Sequence, residues 1–121
     1  MGPDGEVMNI WQEAVSDTIR LVGVNGRLDQ KLTPALEEEL LGLLDQGYFQ
    51  LVVQLKEVNY INSGGLRCLV TAWRQAHQLG GDLVLCGLND RVLKVFSMVG
   101  FDKVFRIYDD CDAAKQAFQS S

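Results

Sequence analysis

The chain has 121 residues, 47% of them hydrophobic and 22% charged, which suits one soluble globular domain with a single core. A formal net charge of −5 and scattered lysines and arginines exclude the basic stripe that direct nucleic-acid binding needs. No apolar run approaches the ~20 residues of a membrane span, so direct membrane insertion is not expected. The start, Met1 to Glu6, is polar, lacks signal-peptide order and is expected to be disordered, with one domain over 7–119 in the cytoplasm.

Val7 to Ala14 reads as a first strand and Thr18 to Val24 as a second, rich in β-branched residues. The short Ser16-Asp17 connection predicts an antiparallel hairpin, and Asn25-Gly26 predicts a turn that ends the second strand. Thr33-Pro34 predicts a helix start, with Thr33 as N-cap and Glu37, Glu38 and Glu39 near the positive end of the dipole. Leu36, Leu40, Leu43 and Leu44 give that helix one buried face, and Gly47 ends it.

Gln50 to Leu55 is predicted as a third strand, whose apolar run fits cover on both faces. A loop, Val58 to Ser63, then opens onto a helix over 64–79. Leu66, Leu69, Val70, Trp73 and Ala76 point inward there, while Arg67, Thr71, Arg74 and Gln78 face solvent. Gly80-Gly81 closes this helix, and Asp82 to Cys86 is a fourth strand. Asn89 or Asp90 caps a third helix, with Val92, Leu93, Phe96 and Val99 inward and Gly100 as its stop. Lys103 to Tyr108 alternates as a fifth strand, and Asp112 caps a last helix packing Ala113, Ala114, Ala117 and Phe118. The order β-β-α-β-α-β-α-β-α predicts an α/β sandwich with a mixed, mostly parallel sheet and helices packed against it.

Little in the chain suggests enzymatic chemistry. Cys68, Cys86 and Cys111 are widely spaced, with no C-x-x-C, and are expected to be free thiols; no metal site is expected. Neither common phosphate-binding glycine motif is present, and no cofactor is expected. His77, the one histidine, is expected to offset a helix dipole. Asn62-Ser63-Gly64-Gly65 is the exception. Ser63 or Asn62 can serve as an ordinary N-cap. Two glycines at the helix start, each costing about 1 kcal/mol relative to Ala in a helix interior, would also keep the approach to the Ser63 hydroxyl clear.

Several segments together carry a resemblance. Gly26 to Asp29, Ile61 to Leu66, Gly80 to Cys86 and Val95 to Phe101, in this order, resemble the STAS domain family, closest to its bacterial anti-sigma factor antagonists. In that family the loop reads Asp-Ser-Ser-Gly-Leu or Asp-Ser-Ala-Gly-Leu, and the serine after the Asp is phosphorylated. The resemblance therefore implies Ser63 as phosphoacceptor, with Gly65 and Leu66 matching the Gly-Leu, Asn62 in place of Asp, and Gly64 in place of Ser or Ala. It implies partner switching in a stress-response type of transcription control. The unmodified protein would bind an anti-sigma factor with serine kinase activity, and a serine phosphatase would reverse the modification. The expected contact surface is Asn62, Gly64, Gly65, Arg67, Thr71 and Arg74. Two other roles of STAS modules stand beside this one: a subunit of a membrane transport assembly, and a small-molecule or nucleotide sensor.

Overall fold

A computed structural model of the chain describes residues 9–119. The expected start of the first strand, Val7-Met8, and the N-terminal tail lie outside them. The elements are β1 (Asn9–Ala14), β2 (Ile19–Leu28), α1 (Thr33–Asp45), β3 (Gln50–Ile61), α2 (Ser63–Gln78), β4 (Asp82–Cys86), α3 (Asp90–Met98), a 3-10 turn over Phe101–Lys103, β5 (Ile107–Tyr108) and α4 (Cys111–Gln119). They form one five-stranded sheet in the order β1-β2-β3-β4-β5. β1 runs antiparallel to β2, and the later neighbours are parallel. In the β1–β2 turn the Ser16 hydroxyl accepts from the amides of Thr18 and Ile19, each at 3.2 Å.

The sheet divides the core in two. On one face α1, α2 and α3 bury Leu36, Leu40, Leu69, Ala76, Val92 and Phe96 against Val22, Leu51, Val53, Leu55 and Leu85. On the other face Ile19, Leu21, Val52, Val84 and Cys86 pack with Ala114 of α4. β3 supplies both cores from alternate residues, which is why its sequence shows an unbroken apolar run. Among the described residues no helix is long and apolar enough to cross a membrane.

Several expectations are corrected. Asn25-Gly26 does not end β2. The strand continues to Leu28 through two register shifts, with Gly26 at φ 119° absorbing the irregularity. β3 likewise runs six residues past Leu55, to Ile61. β4 pairs only with Gln50 to Gln54, so from Glu57 onward β2 is the one strand paired with β3, and the Asn89 side chain donates to the Val58 carbonyl at 2.8 Å. The result is a two-stranded ribbon that projects past the sheet, where the sequence suggests a loop.

Thr33 is not the N-cap of α1. Leu32 holds that position without a side-chain bond, and the Asp29 carboxylate collects the amides of Lys31 (3.0 Å) and Leu32 (3.3 Å) instead. The buried Thr33 hydroxyl has no hydrogen-bond partner among the described residues. No acidic residue lies in the first turn, because Glu37 to Glu39 fall one turn later. On α3, Asn89 is the cap, and only Val92 and Phe96 are buried; Leu93 and Val99 are exposed. The expected strand from Lys103 shrinks to Ile107-Tyr108, since a 3-10 turn first tucks Phe105 into the core. Asp110, not Asp112, caps α4, accepting the Ala113 amide at 2.8 Å. Leu36, Leu40, Leu43 and Leu44 are buried as the leucine spacing requires.

The cysteines differ most from expectation. Cys86 and Cys111 are joined by a disulfide, with their Cα atoms 5.1 Å apart, and only Cys68 is a free thiol. Their 25-residue separation hides a contact made by the crossover through α3, which returns the chain beside β4.

Candidate functional site at the β3–α2 junction

At the tip of the ribbon Leu28 pairs with Ile61, and the Asn62 amide donates to the Leu28 carbonyl at 3.1 Å. This bond fixes the end of β3 immediately before the helix. Asn62 is extended (φ −101°, ψ −178°), and its side-chain oxygen accepts the Gly65 amide at 2.9 Å. Asn62 is therefore the N-cap, in the ordinary geometry for that role.

Ser63 is then the first residue of the helix and is exposed. Its hydroxyl makes no hydrogen bond within the described residues, so it has no capping task. The amides of Ser63 and Gly64 belong to the first turn, whose N–H groups have no intrahelical partner, and they leave a partial positive charge beside the hydroxyl.

The two glycines separate in role. A Cβ on Gly65 would lie 2.8 Å from Ile61 Cγ1 and 3.3 Å from Leu28 Cβ, so this glycine lets the helix start close against the ribbon. A Cβ on Gly64 would meet only the Asn62 side-chain oxygen, at 3.4 Å, which is ordinary contact. The clear-approach argument thus holds for Gly64, while Gly65 is buried and answers to packing.

Along α2, Arg67 and Arg74 are exposed on the stripe that begins at Ser63, and Thr71 between them is half-buried. These expected contact residues share one face with Ser63. Gly65 does not present itself to solvent. The opposite side of α2 buries Leu66, Leu69 and Ala76 as expected, together with Cys68 and Ala72, which the spacing argument passed over. Burial pushes the Cys68 thiol up to about 12, and the negative charge of Glu37 adds to the effect.

The sequence also passed over the neighbouring end of β2 as part of the site. Arg27 pairs with Tyr60 in the ribbon, and its guanidinium stands 4.1 Å over the Tyr60 ring. Asp29 follows directly. The Lys31 amide holds its carboxyl below the usual 3.8, burial opposes this, and the Leu32 amide lowers it further. Strand pairing creates this juxtaposition, and no local periodicity announces it. At the far end of α2, His77 does more than face a dipole: its ring bonds Asp82 at 2.9 Å and lies tilted against Trp73, the ring centroids 4.4 Å apart.

A model of the STAS domain family matches residues 11–114. The protein belongs to the STAS domain family. It is similar to BtrV of Bordetella bronchiseptica, which carries a provisional name as an anti-sigma factor antagonist, at 32% identity over 87% of this chain and 90% of that one. The anti-sigma-B factor antagonist of Bacillus subtilis is 33% identical over 71% of this chain and 78% of its own. Among solved structures, the phosphorylated form of the Bacillus cell fate determinant SpoIIAA superposes with a TM-score of 0.72 over 90% of this chain and 99% of that chain. At 15% identity, that last likeness concerns the fold alone.

Proposed function

We propose that this STAS domain is an anti-sigma factor antagonist that binds an anti-sigma factor with serine kinase activity and is released when Ser63 is phosphorylated. One observation carries the reading: Asn62 does the capping, so the exposed Ser63 hydroxyl has no structural task. The two antagonists similar in sequence support the partner class.

The mechanism follows from charge. A phosphate on Ser63 adds about −1.5 to −2 charges at pH 7. Beside the first-turn amides that charge is favourable within the domain by about 0.3–1 kcal/mol. Against a partner packed on Ser63, Gly64 and Arg67, the same group is an unpaired buried charge costing about 2–5 kcal/mol. Release therefore comes from the interface, not from refolding. A serine phosphatase resets the switch in the cytoplasm, and regulation, not catalysis, is the output.

The test is to incubate the protein with the anti-sigma factor of its own organism and ATP, then map the product by mass spectrometry. One phosphate is expected, on Ser63, and none in Ser63→Ala, which keeps its partner affinity. Ser63→Glu is expected to weaken binding at least about tenfold. Equal affinity for parent and Ser63→Glu, together with phosphate on another residue, would sink the proposal.

A further inference from the structure

The second face of the sheet has one helical cover among the described residues, α4, and that cover is slight. It is nine residues long and buries one side chain completely, Ala114. Phe118 and Cys111 pack partly against Val52, Val84 and Cys86 beneath it. The disulfide ties the first residue of this helix to the last residue of β4. Its two sulfurs differ in access. Cys86 is fully buried, whereas half-buried Cys111 lines an open cleft of about 430 Å³ whose charged lining is mixed, Lys56 and Lys115 beside Asp109, Asp110 and Asp112.

We propose that Cys86 and Cys111 are a reversible dithiol–disulfide couple, which fastens α4 to the sheet when oxidised and frees its first turn when reduced. Reduction by a dithiol begins with one thiolate entering the cleft and attacking the Cys111 sulfur. Cys86 leaves as a thiolate and takes up a proton. The reductant's second thiol then displaces Cys111, so two electrons and two protons pass to the pair and the reductant becomes a disulfide. Reoxidation runs the exchange backwards with a low-molecular-weight disulfide as acceptor. Cys68 stays outside this chemistry, because it lies in the core on the opposite face of the sheet. In a reducing compartment a disulfide is usually transient and regulatory, which suits a couple with one sulfur open to exchange.

The full chain, equilibrated across graded ratios of reduced to oxidised glutathione and alkylated, tests the pairing by peptide mapping. Cys86 and Cys111 are expected to gain and lose label together and reversibly, with Cys68 unlabelled while folded. Amide hydrogen exchange over residues 111–119 is expected to speed roughly tenfold or more on reduction, with α2 unchanged. Cys111→Ser is expected to exchange at the reduced-form rate with or without reductant. A pair that stays reduced at every ratio would overturn the proposal. So would equal α4 exchange in both redox forms, or a Cys111→Ser protein whose α4 still responds to reductant.

Discussion

Asn62 and Ser63 are neighbours with opposite obligations. Asn62→Ala removes the bond to the Gly65 amide and is expected to cost about 1 kcal/mol in denaturant unfolding. Ser63→Ala removes a hydroxyl with no partner among the described residues and is expected to stay within about 0.5 kcal/mol of the parent. Equal losses for the two would mean that Ser63 shares the capping. Asn62→Asp keeps a capping oxygen and adds a charge at the favourable end of the dipole, so it is expected to fold at least as stably. The glycines can be separated in the same way. Gly65→Ala forces a Cβ against Ile61 and Leu28, and about 1–3 kcal/mol of overpacking outweighs its gain in helix propensity. Gly64→Ala has room and is expected to be neutral or slightly stabilising. Asp29 makes the unfolding equilibrium pH-dependent. Its folded pKa lies below the ordinary 3.8, so its contribution is complete above that value and fades as pH falls through the folded one. Asp29→Asn is therefore expected to be less stable than the parent at neutral pH, and the gap should close in acid titrations. At this scale the sequence pointed to the β3–α2 junction, and the family resemblance to Ser63 as the residue for which phosphorylation is proposed. It could not divide the capping between two adjacent polar residues, because either side chain has the chemistry and only the backbone angles decide.

Among the elements, those with a full face to bury were the most legible. The leucines of α1 and the inward residues of α2 repeat at helical spacing because each helix lies on the sheet along its length. The closure of α2 was equally legible: Gly80, at φ 88°, lets its own amide reach the His77 carbonyl and the Gly81 amide reach that of Ala76. The ends of β2 and β3 were not. Lys56, Glu57, Asn59 and Tyr60 are exposed, so this part of β3 reads as polar and irregular although it stays paired with β2 through two register shifts. The segment before Ile107 misled in the other direction, since Phe105 reaches the core from a turn and needs no strand to do so. The α2–β4 turn supplies a strong test of packing. A Cβ on Gly81 would overlap the backbone carbonyl of Phe49, which cannot move aside without disturbing the chain entering β3. Gly81→Ala is expected to lower stability by at least about 2 kcal/mol, read as a shift in denaturant midpoint at constant slope.

For the whole molecule, the order of the elements and the mostly parallel sheet followed from alternating strand and helix patterns, and the family followed from four short segments in fixed order. The disulfide did not follow. Two cysteines 25 residues apart become neighbours only after β4, α3 and β5 have wound around one another, and spacing along the chain carries no trace of that. The ribbon of β2 and β3 works in a further way. It holds Ser63 beyond the reach of β4, on a projection whose inner side, Leu28, Val58 and Ile61, joins the main core while Tyr60 and Ser63 face solvent. Under the proposed phosphorylation, the chemical mark is written on an exposed hydroxyl that neither the cap beside it nor the packing beneath it uses. Marked and unmarked copies are then equally poor prey for proteases that wait on unfolded chains. The signal can cycle many times while the pool of protein that carries it stays the same size.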